Sequence, residues 1–254
     1  YTTLFRSGAL ELQIGKAPTN ISISSAAVAE NEPAETAVGT FETTDPDLGG
    51  EEFTYEMISG EGDDDNASFI IDGDVLKTAE SFDHEAKDSY SIRVSSTDLA
   101  GYTTEKQFDI GVTDVNEAPT DVGLDPASVE ENEPVGTVVG SFTTTDPDAG
   151  ESFTYDLMPG EGDADNGSFL IDGNTLTTAE TFDFESADTY SIRVRSTDSG
   201  EEWVERQFTV TVDDVNEPPT GSDDGDATDE DNSVTTVNVL TNDTDPDTGD
   251  TLSV

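Results

Sequence analysis

The 254-residue chain contains no cysteine, so disulfides, thiolate nucleophiles, iron–sulfur clusters and the usual zinc sites are excluded together. Histidine occurs once, at His84, which closes most remaining catalytic options. Cations are scarce. Nine Lys and Arg stand against 59 Asp and Glu, and the formal charge of −50 excludes electrostatic attraction to nucleic-acid or membrane phosphates. No uninterrupted apolar run approaches the roughly 18 residues of a membrane span, so no direct membrane insertion is expected of this stretch. No charged-then-apolar N-terminal segment reads as a signal peptide. Large apolar residues are also few: Leu, Ile, Val and Phe make up about 21% of the chain, close to the ~20% below which high charge implies disorder. The core is therefore expected to be thin. At −50 the compact state repels itself, so bound cations must offset the charge, or salt must screen it, or part of the chain stays unfolded.

What is present is repetition. Residues 53–120 align with 153–220 at an offset of 100 without gaps, at roughly 60% identity, which cannot be accidental. Upstream the offset is 101. Glu30 precedes Asp45-Pro46-Asp47 by fifteen residues, and Glu131 and Glu230 precede Asp146-Pro147-Asp148 and Asp245-Pro246-Asp247 by the same interval. The reading is two whole units, 17–117 and 118–217, and the start of a third at 218–254. Residues 1–16 are set apart as an artefact or a degenerate preceding link. Tyr1 to Ser7 looks like a translated sequencing adapter, which predicts a fragment.

Each unit reads as all-β, because short alternating or β-branched runs are separated by Gly, Asp, Asn and Pro. Strands are expected near Ile21 to Ser24, Val38 to Thr43, Phe53 to Met57, Phe69 to Ile71, Val75 to Thr78, Tyr90 to Ser96 and Thr103 to Val112. Seven strands in about 100 residues predict a Greek-key β-sandwich of immunoglobulin-like architecture. Tyr90, Ile92 and Val94 alternate with Ser91, Arg93 and Ser95, as one inward and one wetted face require. Asp72-Gly73 and Asp172-Gly173 are hairpin signals. The Asp-Val-Asn-Glu links that end at Pro119 and Pro219 are too short to act as floppy tethers.

With 59 carboxylates, proximity in sequence means little, and only acids held constant between the copies are informative. They fall in turns. If loops gather at the two poles of each sandwich, then Glu30, Asp83, Glu85, Asp114, Asn116 and Glu117 are expected to meet Asp146, Asp148 and Asp198 at a first junction. Glu131, Asp183, Glu185, Asp214, Asn216 and Glu217 would meet Asp245 and Asp247 at a second. Asp45, Asp47 and Asp98 would belong to a preceding junction and are expected to be unfilled. At an effective dielectric near 20, each carboxylate pair about 5 Å apart costs on the order of 3 kcal/mol. Such a cage needs counter-charge, and Ca²⁺, which takes 6 to 8 hard oxygens in flexible geometry, supplies it better than Mg²⁺, which keeps its waters.

These residues resemble the cadherin family, in particular its bacterial cadherin-like repeats. Glu30-Asn31 and Glu131-Asn132 are similar to the family's Glu-Asn, and Phe82-Asp83-His84-Glu85 and Phe182-Asp183-Phe184-Glu185 to its Leu-Asp-Arg-Glu. Asp45-Pro46-Asp47 and Asp146-Pro147-Asp148 match its Asp-x-Asp, and Asp98 and Asp198 its Ala-x-Asp position. The stretches from Asp114 to Pro119 and from Asp214 to Pro219 resemble its link. Residues 221–254 resemble the start of another cadherin-like tandem repeat. The resemblance implies Ca²⁺ as cofactor and an extracellular or cell-surface array in which each repeat partners other repeats of the same chain. It also implies a calcium-stiffened stalk or adhesion module with an unknown surface or glycan ligand. Glu in place of Asp in the link, and Ala118 or Pro218 in place of the second Asn, depart from the family pattern. No Trp lies on a first strand, so the residues themselves do not support strand-swapped homophilic adhesion.

The same residues admit other readings. His84 becomes Phe184 in the second copy and reads as a spacer side chain rather than a ligand or base. Trp203, which is Thr103 in the first copy, reads as a packed or edge aromatic before a sugar platform. The loop at Asp63-Asp64-Asp65-Asn66 lacks the twelfth-position Glu of an EF-hand and defaults to a solvated loop. The sequons Asn66-Ala67-Ser68 and Asn166-Gly167-Ser168 read as chance. Nothing singles out a glycosidase pair of carboxylates, and no enzyme is expected. Two alternatives remain: an accessory carbohydrate-binding or spacer module of a secreted polysaccharide-degrading enzyme, and an acidic spacer stabilised by any salt.

Overall fold

The computed structural model describes residues 15–46, 52–223, 240–247 and 252; Asp47 and Glu230 lie outside them. The chain divides into two compact units, Tyr1–Val115 and Asn116–Val254. Unit 1 contains β1 (Asn20–Ile23), β2 (Ala27–Ala29), β3 (Ala37–Thr44), β4 (Thr54–Met57), β5 (Phe69–Asp72), β6 (Val75–Thr78), β7 (Ser89–Thr97) and β8 (Thr103–Thr113). Unit 2 repeats the series as β9 (Asp121–Asp125), β10 (Ser128–Glu130), β11 (Val138–Thr145), β12 (Thr154–Leu157), β13 (Phe169–Asp172), β14 (Thr175–Thr178), β15 (Thr189–Thr197) and β16 (Trp203–Asp213). In unit 1 the sheets are ordered β1-β3-β6-β5 and β2-β8-β7-β4; in unit 2 they are β9-β11-β14-β13 and β10-β16-β15-β12. The fold is all-β, an immunoglobulin-like sandwich in each unit, and the helical elements among the described residues are short 3-10 turns at Asn66–Ser68 and Asn166–Ser168.

Each unit has one strand more than the seven expected from the sequence. The first strand of the sequence reading is continued by a second, β2, which joins the opposite sheet and runs parallel to β8, with Val28 beside Val112; β10 does the same beside β16. Three residues are too few to show a periodicity, and a parallel partner about eighty residues away leaves no local signal. The crossing between sheets requires a glycine on the strand it passes. A Cβ at Gly39 would lie 2.4 Å from the Ser25 carbonyl oxygen, and one at Gly140 would lie 1.8 Å from that of Pro126. The ladder slips at both positions, between Ala37 and Gly39 and between Val138 and Gly140.

The cores are built by the alternation read from the sequence. Ile92 and Val94 on β7, and Ile192 and Val194 on β15, are fully buried, while Arg93 and Arg193 between them face outward. Phe82 and Phe182 are also buried, although they lie in loops, and their rings meet Tyr90 and Tyr190 at 4.3 Å between centroids. This contact moors to the core the turn that carries Asp83-x-Glu85 or Asp183-x-Glu185.

The acidic loop after β4 is not simply solvated. Where β4 stops pairing, Asp65 accepts the Ser91 amide (2.8 Å), and Asn66 accepts the Arg93 amide (2.9 Å) and donates to the Ile58 carbonyl (2.9 Å). Asp165 and Asn166 make the same bonds to Ser191, Arg193 and Met158. Burial pushes the Asp65 carboxyl up, but Lys87 and the Ser91 amide outweigh it and hold the group below the usual range. These residues extend the ladder of β7 and β15.

On the outer face of unit 2, Glu205 accepts hydrogen bonds from Arg193 (2.5 Å) and Arg195 (2.6 Å), and the Arg195 guanidinium lies 4.1 Å over the ring of half-exposed Trp203. Of the two places the sequence suggested, packed or edge, Trp203 takes the exposed one, on the outer face beneath a guanidinium. Arg195, then Arg193, holds the Glu205 carboxyl below the ordinary glutamate range. A depressed carboxylate contributes stability above its unfolded pKa and loses that contribution as pH falls through the lower folded pKa. Glu205→Gln is therefore expected to cost about 1 kcal/mol at pH 7. In urea titrations the gap between variant and parent should close in acid, below the glutamate range.

Candidate metal centre

Unit 2 assembles its acids around one buried glutamate. Glu131 follows β10 and is 2% exposed. The Val215 amide donates to its Oε1 and the Phe184 amide to its Oε2, each at 2.9 Å. One carboxylate therefore fastens both the link after β16 and the turn after Phe182. Asn132 beside it takes the left-handed conformation (φ 59°), which Asn tolerates better than most residues. Its amide bonds the Phe182 carbonyl (2.9 Å), and its side chain donates to Oε1 of Glu217 (2.6 Å).

Around that anchor, Glu131, Glu185, Asp214 and Asp247 each present a carboxylate oxygen within 4.8 Å of the others. Asp247 is 9% exposed; its Oδ2 accepts the Glu217 amide (2.7 Å), and its own amide donates to Oδ1 of Asp245 (3.1 Å). Its Oδ1 is buried and has no hydrogen-bond donor. The remaining expected ligands of this set stand back. Asp183 caps its own turn by accepting from the Ser186 amide (3.1 Å) and hydroxyl (3.0 Å), and the Asn216 side chain donates to the Glu217 carbonyl (3.0 Å). The Glu185 carboxyl is pushed above the ordinary glutamate range, by desolvation first and then by the charges of Glu131, Glu217 and Asp214.

The same Asp-Pro-Asp device occurs earlier in unit 2. Oδ1 of Asp146 accepts the Asp148 amide (3.0 Å), Oδ2 of Asp148 accepts the Glu117 amide (2.7 Å), and Oδ1 of Asp148 and Oδ2 of Asp146 are buried without a donor. Burial, then the charges of Asp148, Asp198 and Glu151, raises the Asp146 carboxyl above the aspartate range, although the Asp148 amide opposes this. Asp198, 6% exposed, accepts from the Asn116 side chain (3.0 Å) and the Glu202 amide (2.8 Å).

Unit 1 repeats the glutamate anchor. Oε1 of Glu30 accepts the Val115 amide (2.8 Å) and its Oε2 accepts the His84 amide (2.7 Å). Asp83 accepts the Ala86 amide (2.9 Å), and buried Asp98 accepts the amides of Ala100 and Tyr102, both at 2.8 Å. Asp45 is half-buried. His84 Nδ1 lies 3.1 Å from Oε1 of Glu85 and 4.0 Å from Oδ2 of Asp114. The hydrogen bond to Glu85 raises its pKa, with Asp114 and Glu30 adding to the effect against desolvation. The contribution of Asn132 escaped the sequence reading, although the pairing of Asn31 with Asn132 between the copies was its signal.

The acids present fit a hard cation. A buried carboxylate oxygen without a donor is costly, and buried polar groups are normally paired. The orphaned oxygens of Asp148 and Asp247 belong to residues whose other oxygen is already held by an amide, and the Asp247 set offers oxygens alone. That donor set suits Ca²⁺ rather than a thiolate- or imidazole-seeking ion. Without a cation the four charges repel. Glu185→Gln, which removes one charge from a side chain whose backbone hydrogen bond is to its own amide, is therefore expected to raise the unfolding midpoint in chelator-containing, low-salt buffer. The gain should shrink in high salt, as paired denaturation curves would show.

Comparison with known proteins follows the same boundaries. The family model "Cadherin domain" matches residues 24–113 and 125–213. Cadherin-12 of Homo sapiens is 30% identical over 211 residues, covering 76% of this chain and 26% of its own length. The protocadherin-like wing polarity protein stan of Drosophila melanogaster is 32% identical over 214 residues, covering 79% of this chain and 6% of its own. The chain thus spans about a quarter or less of these relatives. Among solved structures, the protocadherin GammaB4 extracellular domain superposes with a TM-score of 0.57 at 25% identity, covering 81% of this chain and 34% of that one. The human desmocollin-1 ectodomain gives 0.55 at 20% identity over 81% and 43%, a likeness of fold.

Proposed function

Because the chain belongs to the cadherin domain family, whose model covers both units, we propose that it is a run of calcium-binding extracellular repeats, acting as a stalk or adhesion module of a surface or secreted protein. The observation that carries the reading is the Asp247 Oδ1 atom, buried without a donor in a residue whose carboxylate gathers with those of Glu131, Glu185 and Asp214. Bound there, Ca²⁺ would supply two positive charges and accept 6 to 8 oxygens, offsetting the repulsion among the acids.

The chain's own residues prepare the place. Glu131 holds the link and the Phe184 turn together through two amides, and the Glu217 amide fixes Asp247. The Asp183 carboxylate keeps its turn closed. We assign Asp183, Asn216, Glu217 and Asp245 supporting parts in the same centre. By repetition in sequence, we assign corresponding parts to Glu30, Asp83, Glu85 and Asp114 of unit 1 and to Asn116, Glu117, Asp146, Asp148 and Asp198 of unit 2. Residues 214–217 and 245–247, already tied by these hydrogen bonds, would then be held more firmly to the second sandwich once the charges are neutralised. A repeat array fastened in this way transmits position over its length, as a stalk must, and it is structural rather than catalytic.

Linkage gives the size of the effect: at free calcium about 100 times the dissociation constant, each independent site adds about 2.7 kcal/mol. Thermal unfolding in excess NaCl is expected to move upward on adding Ca²⁺ and to return with chelator, while proteolysis at 214–247 slows. Asp247→Asn should remove part of that rise. Equal melting temperatures and identical cleavage with and without Ca²⁺ would refute the reading and leave generic charge screening in its place.

A further inference from the structure

We propose that unit 1 carries a transition-metal site of its own, built from Nδ1 of His84 and carboxylate oxygens of Glu85 and Asp114, that takes a borderline divalent ion such as Zn²⁺, Ni²⁺ or Co²⁺. The three ligand atoms lie within 4.8 Å of one another. From the imidazole nitrogen the two oxygens stand at 3.1 and 4.0 Å. Two ligands held at 2.0–2.1 Å by a tetrahedral ion are about 3.3 Å apart, and the nitrogen stands within an ångström of that distance from each oxygen. The side chains are 30%, 25% and 55% exposed for His84, Glu85 and Asp114, which leaves a path from solvent and room for water as a further ligand.

The histidine is an addition to the fold rather than a requirement of it. Phe184 occupies the same place in unit 2, and its amide makes to Glu131 the bond that the His84 amide makes to Glu30. What changes between the copies is the side chain. Where the acids of unit 2 offer oxygens alone, unit 1 adds a nitrogen that borderline ions prefer and calcium does not. The spacer role that the sequence suggests for His84 describes its backbone; the ring points at two carboxylates. All three ligands lie in unit 1; Glu85 and Asp114 are shared with the calcium assignment above, so Ca²⁺ competes for two of the three and the imidazole nitrogen is what sets this site apart.

His84 is the chain's sole histidine, which makes the readout unambiguous. The full chain, without a polyhistidine tag and in calcium-free buffer at mildly alkaline pH, would be titrated with Co²⁺. Visible absorption reports the ligand field, and NMR reports the imidazole protons. One ion per chain is expected, with a nitrogen-containing ligand field and paramagnetic broadening of the histidine signals. His84→Phe, which installs the residue of the second copy, should weaken binding about 10-fold or more. Retained affinity in that variant would overturn the proposal. So would sharp histidine signals in the parent chain with the ion bound, a measurement that does not depend on the variant folding.

Discussion

A buried carboxylate that accepts two backbone amides from different segments holds each unit's acidic turn and following link in one place. Moving a carboxylate out of water carries an effective cost of several kcal/mol. Charge-assisted hydrogen bonds return about 1.5–3 kcal/mol each, so the two amides on Glu131, or on Glu30, roughly offset the burial. The balance is close. It makes the glutamate useful, because its position depends on both segments being present, and each segment's position depends on it.

Placing the acids in turns and links separates two tasks within one thin-cored domain. Ile92, Val94, Leu76 and their counterparts in unit 2 close the sandwiches without help from any charge. The repelling groups gather where the chain leaves the sheets, and the moored turn after Phe82 or Phe182 carries some of them. Repulsion among Glu131, Glu185, Asp214 and Asp247 therefore loads the segment after β16 rather than the core. A cation that relieves it changes how firmly that segment is held, while the sheets keep their pairing. That division leaves a body closed by apolar packing and places any change of charge in the segment that leaves it.

Much of this was legible in the sequence because the chain is compared with itself. The offset of 100 exposed the units, and strict alternation at Ile92 and Val94 exposed the long strands. Recurrence in both copies singled out Glu131, Glu185 and Asp214, whose carboxylate oxygens lie within 4.8 Å of one another. The parts that stayed hidden share a cause, which is that they are made by backbone. β2 and β10 are three residues each and pair with strands far along the chain. Asp65 and Asn66 serve amides of β7, so a loop that reads as solvated is part of a ladder. The anchoring of Glu131 by Val215 and Phe184 is invisible to composition, since any residue but proline supplies an amide.

Backbone also explains where the two copies are free to differ. Positions whose side chain serves the frame are the same in both units: Glu30 and Glu131, Asp65 and Asp165, Asn66 and Asn166. A position whose amide serves the glutamate is free to vary in side chain, as His84 against Phe184 shows, because the bond itself is indifferent to the side chain. Thr103 against Trp203 and Ser95 against Arg195 vary for a related reason, since the ladder between β7 and β8, or β15 and β16, is closed by backbone whatever side chain stands there. New chemistry therefore enters this architecture through residues whose amide or strand position is fixed and whose side chain is not. One exchange at such a place adds an imidazole beside two carboxylates, and two add an indole beneath a guanidinium, while the supporting hydrogen bonds stay in place.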